Sequence, residues 1–198
     1  MTGAAIIPIT KKPDSLTRLK ASARKLFVER GYHATRPQDI AREAGLGHGT
    51  FYLHYPDKRA CFLAFVEDAR RELNGHLAAA RTEGSLEERI AATLNAIYDY
   101  SDRHPGVLRA AMTYEMVIDA EGAQATPLLV SWGEEWANMV REEAEKGQAC
   151  KSYNPQIIGH AIVGALHQTG LEASRGQLCR RQMVDNLTRF LTKALKAN

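Results

Sequence analysis

The chain has 198 residues, 44% of them apolar and 25% charged, with three cysteines; it can bury a core without staples, and its composition excludes disordered, collagenous and disulfide-framed classes. Its charge is unevenly spread: residues 1–60 carry eleven Lys and Arg against five Asp and Glu, a balance of +6, and residues 61–198 carry fifteen against eighteen, a balance of −3. A basic head on an acidic body is expected where one segment meets a polyanion, although charge alone does not separate nucleic acid from membrane.

Residues 1–13 read as a flexible arm, because the apolar run from Ala4 to Ile9 is short, broken by Pro8 and without the basic lead of a secretory signal. From there apolar residues recur at helical spacing, with no period-2 alternation between hairpin turns, so the chain is all-α with about nine helices. The first opens near Asp14 or Ser15, runs through Leu16, Leu19, Ala23, Leu26 and Phe27, and stops at Gly31; Arg18, Lys20, Arg24, Lys25 and Arg30 form its exposed face. Short helices fit Pro37 to Ala44 and His48 to Tyr55. A long helix runs from Lys58 to about Arg81, and Ser85-x-x-Glu88 starts the next, to about Asp102, as a capping box. After the His104-Pro105-Gly106 turn comes a helix through Leu108, Met112 and Met116. Thr126-Pro127 and Asn154-Pro155 each start a further helix, and the last spans about Leu178 to Lys196.

Cys61, Cys150 and Cys179 are far apart with no C-x-x-C pair, so neither a disulfide framework nor a thiolate zinc site is expected, and the setting reads as reducing and cytoplasmic. No apolar stretch approaches the ~18 residues of a membrane span, so no membrane partner is expected.

Residues 35–61 carry the functional signal. Two helices of about eight residues joined by a turn holding Gly45 and Gly47 suit a helix-turn-helix, with Ile40, Ala41, Ala44, Leu46, Phe51 and Tyr55 as its inner seam. The second helix then offers His48, Gly49, Thr50, Tyr52, Leu53 and His54 outward, and its N-terminal residues reach base edges in a major groove. His48 and His54 can donate to acceptors such as purine N7, the Thr50 methyl can pack on a thymine methyl, and Gly49 allows close backbone approach. Tyr52 and Lys58 are placed for phosphate, Lys58 at the N-terminus of the next helix, while Thr35, Arg36 and Gln38 are placed to clamp the backbone on the other side.

Asp39-Ile40-Ala41-x-x-Ala44-Gly45, followed by Gly49-Thr50-Phe51-Tyr52-x-His54-Tyr55-x-x-Lys58, resembles the DNA-binding signature of the tetracycline-repressor (TetR) family. The resemblance covers roughly residues 15–65. Arg36 stands where the family has a Thr or Ser cap, Gly47 replaces a common Ser cap, and Cys61 replaces a Leu. The resemblance implies a homodimer, a three-helix DNA-binding head over residues 14–60, and an effector-binding and dimerising helical body over residues 61–198.

Other chemistry is not indicated. Gly45-x-Gly47-x-Gly49 fails the dinucleotide spacing and follows no strand, Glu-x-x-His pairs for a di-iron bundle are missing, and no H-E-x-x-H or Gly-x-Ser-x-Gly occurs. No catalytic residue, metal or cofactor is therefore expected. In the body, Tyr98, Met112, Met116, Trp132, Trp136 and His167 are candidates to line a pocket for a small apolar or amphipathic effector, the alternative being a plain core seam. Gly159, Ala161, Gly164 and Ala165 give a smooth helix face, and Val184, Leu187, Phe190, Leu191 and Leu195 an apolar stripe; paired with their symmetry mates these would make a four-helix dimer interface. The reading is a dimeric repressor that binds a palindromic DNA operator and is released by an effector. Its rivals are a DNA-binding regulator or scaffold without an effector, and a helical-bundle enzyme or carrier.

Overall fold

The structure, a computed structural model, describes residues 14–112, 128–174, 176 and 179–196. The expected arm, Met116, the Thr126-Pro127 start and Leu178 lie outside those residues. Among the described residues the chain forms nine helices and no strand, and divides into two units, the first ending at Phe65 and the second beginning at Val66.

In the first unit, α1 (Ser15–Ala34) is capped by Asp14, whose carboxylate accepts from the Thr17 amide at 2.7 Å. It does not stop at Gly31. That residue takes φ +77°, ψ 174°, open to glycine alone, and a further turn follows it to Ala34. Helices α2 (Pro37–Glu43) and α3 (His48–His54) follow, and α4 (Lys58–Ala79) starts in this unit and continues into the second. Leu19, Leu26, Phe27, Ile40, Phe51 and Phe62 are fully buried. Phe27 is the hub: its ring centroid lies 4.9 Å from Phe62, edge to face, and 5.7 Å from Phe65. These contacts extend the head to Phe65, five residues beyond the expected boundary. Cys61 is part of this packing, and burial pushes its thiol up to about 12.

In the second unit, α5 (Leu86–Arg103) opens with the expected capping box, Ser85 and Glu88 bonding reciprocally. Next come α6 (Val107–Met112), α7 (Leu128–Glu145), α8 (Pro155–Ser174) and α9 (Arg180–Leu195). Helices α7 and α8 cross closely because the contact is built from small residues: a Cβ on Gly159 would stand 2.2 Å from the Gly133 carbonyl. Helix α9 packs on α5 with Met183, Val184, Thr188, Leu191 and Leu195 buried. Arg180 ties its start to α5, donating to Asp99 at 2.5 Å and Asp102 at 2.6 Å. Fully buried Glu143 on α7 pairs with Arg89 of α5 and, at 3.1 Å, with Lys146.

This packing corrects part of the expected dimer face. Gly159 is spent on the contact with α7, and Val184, Leu191 and Leu195 are buried within the subunit. Leu187 is half-buried, whereas Gly164 and Phe190 are exposed, as are Ile157 and Ala161. No helix of the described residues is long and apolar enough to cross a membrane.

Candidate nucleic-acid interface

Helix α2 begins without a side-chain cap, since Arg36 occupies that place and makes no capping bond. It ends in a Schellman arrangement: Gly45 takes φ +62°, its amide donates to Arg42 O at 2.9 Å, and the Leu46 amide donates to Ala41 O at 2.9 Å. Two residues later α3 starts, with Gly47 at its cap. The inner seam is as expected, with Ile40, Ala41, Ala44, Phe51 and Tyr55 buried, although Leu46 is only half-buried. Burying Phe51 and Tyr55 turns the other side of α3 outward by helical geometry.

That outward side holds most of the expected set. His48, Gly49, Tyr52, Leu53 and His54 are exposed, Leu53 at 81%, and Thr50 is half-buried. The His48 ring meets Tyr52 edge to face at 5.2 Å. His54 is tied back to α1, its Nε2 2.8 Å from Ser15 Oγ. Arg36 and Gln38 are exposed at the start of α2.

Two expected contacts are changed by the structure. Thr35 is fully buried, and its hydroxyl donates to Gly31 O at 2.7 Å and to Leu26 O at 3.2 Å. It closes the end of α1 and has no side-chain group facing outward, so it neither caps α2 nor clamps a phosphate. Lys58 donates from Nζ to Tyr32 O at 3.0 Å and stands 4.2 Å over the Tyr32 ring. Burial, then the neighbouring Arg36 charge, holds its ammonium below the usual lysine range. The start of α4 is already served by Asp57, whose carboxylate accepts from the Ala60 amide at 2.7 Å.

The expected pocket-lining residues of the body are scattered in burial. Trp132 and Trp136 belong to the core, and the Trp132 indole N–H is buried with no protein acceptor among the described residues. Tyr98, Met112 and His167 are half-buried. Burial pushes the Tyr98 phenol above its usual range, with the Thr169 hydroxyl as its polar neighbour. An open cleft of about 580 Å³ lies elsewhere, between α5 and α9, lined by Glu87, Glu88, Asn95, Asp185 and Arg189 among others, and it contains none of the expected set. No cluster of His, Cys, Asp and Glu among the described residues could hold a metal ion.

Two short helices crossing on a buried seam, with an exposed second helix and flanking cations, define a helix-turn-helix head. Residues 19–65, the head, match the family of bacterial regulatory proteins known as the tetR family. The HTH-type transcriptional regulator YerO of Bacillus subtilis is 26% identical over 134 residues, 59% of this chain and 46% of its own length. The HTH-type transcriptional activator FasR of Mycolicibacterium smegmatis is 32% identical over 84 residues, 42% of this chain and 38% of its own length. The chain spans about half the length, or less, of the relatives it matches. The solved structure of the fatty acid degradation regulator FadR from Bacillus halodurans has the same fold, with a TM-score of 0.71 at 18% identity over 92% of this chain and 97% of that one.

Proposed function

We propose that the chain is a sequence-specific DNA-binding transcriptional regulator, a homodimer that reads a palindromic operator and is released from it by a small apolar or amphipathic effector. The observation that carries the reading is the α3 surface: His48, Gly49, Tyr52 and Leu53 stand exposed on a helix whose opposite side is locked into the seam. Thr50 reads from the same helix start, and Arg36, Gln38, Tyr52 and Lys58 hold the backbone.

Dimerisation is supported by what α8 and α9 leave uncovered. Ile157, Ala161 and Gly164 share one exposed side of α8, and Phe190 of α9 is 63% exposed. A palindromic operator read by such a dimer would take two recognition helices about one DNA turn, roughly 34–36 Å, apart. The effector reading is supported by the buried Trp132 N–H, which an acceptor on a bound molecule would satisfy. Helix α4 enters both units and is the covalent route from body to head. The effector's preference for the non-binding state sets the coupling, and a ligand fitting both states would release nothing. A regulator without an effector is the second reading, favoured by the burial of Trp132 and Trp136 in the core.

Selection of duplexes from a random pool, followed by gel-shift titration over a range of salt, tests this. Binding is expected to weaken steeply with salt. Lys58→Ala is expected to weaken all sequences alike and to reduce the salt slope by about one, whereas His48→Ala or Thr50→Ala changes which sequences are selected. An unaltered site in both recognition-helix variants would refute the base-contact assignment, and absence of salt-dependent binding would refute the regulator itself.

A further inference from the structure

Arg18 belongs by spacing to the basic outer face of α1, yet its guanidinium is turned inward to the helix-turn-helix. Its Nη2 donates to the Ala44 carbonyl and, at 3.1 Å, to the Gly45 carbonyl. The reason those carbonyls need a donor lies in α2. A seven-residue helix is mostly ends, and its terminal carbonyls lack intrahelical partners. The Schellman bonds satisfy Ala41 and Arg42 but do not use Ala44 or Gly45. A guanidinium placed there makes charge-assisted bonds and faces the negative end of the helix.

Gly45 is fitted to this arrangement twice over. Its φ of +62° disfavours a side chain, and a Cβ there would stand 2.8 Å from Arg18 Nη2. Two weaker ties flank the clasp, Ser15 to His54 at the end of α3, and Lys25 to Glu43 at 2.5 Å at the end of α2. Both are exposed, and the Lys25–Glu43 pair is of the kind that contributes little. The Arg18 bond to Ala44 is part-buried and lies at the turn itself.

We propose that Arg18 is a positioning residue for sequence reading: it clamps the turn between α2 and α3, sets the pose of α3 on α1, and does not bind phosphate. The role rests on the DNA-binding function proposed above. It separates two effects that a basic residue in such a head normally confounds, since a phosphate contact strengthens binding to every duplex and a clasp strengthens only the correctly docked one.

The test uses the full chain with two short duplexes, the one enriched by the wild type from a random pool and a scramble of it. Arg18→Met keeps the aliphatic stem and removes both bonds. Arg18→Lys keeps the charge and at most part of the bonding, and serves if the Met variant fails to fold. Expected for R18M is a loss of at least about tenfold in the affinity ratio between enriched and scrambled duplexes, with scrambled binding and the salt slope near wild type. R18K is expected to fall between, because a single ammonium does not reproduce the fork. Equal weakening on both duplexes, a slope smaller by about one and full recovery in R18K would make Arg18 a phosphate ligand and overturn the proposal. An unchanged affinity ratio would overturn it too. A wild type that binds neither duplex overturns the DNA-binding function on which this role rests. Amide exchange over residues 44–51, accelerated in R18M only if the clasp exists, then shows whether the function alone failed.

Discussion

The head and the body are both helical, yet they are held in different ways. Helices α2 and α3 have seven residues each, too few to bury much surface, and their placement depends on polar ties from longer neighbours: Arg18 to the turn, Ser15 to His54, Thr35 to the end of α1, Lys58 to Tyr32. Around these ties the apolar core is a compact aromatic cluster centred on Phe27. The body instead uses helices of 18 and 20 residues whose backbones approach over Gly133 and Gly159. The contrast shows where the head's cations go. Arg18, Lys25 and Arg42 all make contacts inside the head, so its excess charge is partly a set of fasteners rather than a free surface for phosphates.

The largest effect that would break this comparison is Phe27→Ala, expected to cost about 3–5 kcal/mol as a cavity at the hub. Iodoacetamide would read it locally. In the wild type Cys61 is buried with its thiol pushed up to about 12, and should stay unlabelled while exposed Cys179 reacts; in F27A, Cys61 should label too. Labelling of Cys61 in the wild type at the rate of Cys179 would contradict the packed head.

Gly159→Ala probes the body in the same way. The added methyl meets the Gly133 carbonyl and the Ala137 backbone, so α7 and α8 must separate, at about 1–3 kcal/mol by thermal or urea unfolding. Gly164→Ala, with nothing within 4 Å, should leave the subunit's own packing intact and serve as the control.

Thr35→Val removes the hydroxyl that serves two carbonyls of α1 and should cost about 1 kcal/mol, with Thr35→Ser close to wild type. If the threonine clamped DNA instead, T35V would lose affinity with stability unchanged.

The smallest effect is acid titration. Lys25 holds the Glu43 carboxyl of the head below the usual range, and Arg180 does the same for Asp99 of the body. A depressed folded value means that the contribution is complete above the unfolded values of 4.5 and 3.8 and is lost as pH falls through the lower folded ones. Urea midpoints should stay level down to about pH 5 and drop below about pH 4, less so in high salt, because both pairs are exposed.

Helix periodicity, the capping box at Ser85, the glycine at the α2–α3 turn and the outward set on α3 were all legible from spacing, because each depends on residues three or four apart. The end of α1 was not: Gly31 marks a real break, but the extra turn to Ala34 depends on Thr35 reaching back to Leu26 and Gly31. The dimer face was misread at Gly159, Val184, Leu191 and Leu195 because a small or apolar residue on a helix face does not state which neighbour it faces. Arg18 was read as a surface cation for a related reason, since a long side chain can point to solvent or fold back onto a carbonyl with the same sequence signature.

The linear chain by itself determined the helices, the helix-turn-helix and the identity of the residues α3 turns outward, since local hydrogen bonding and a 3.6-residue period suffice for those. Tertiary structure alone decided which cations are fasteners, which threonine is buried and which apolar faces stay open, since each depends on a backbone carbonyl or a facing helix supplied from dozens of residues away.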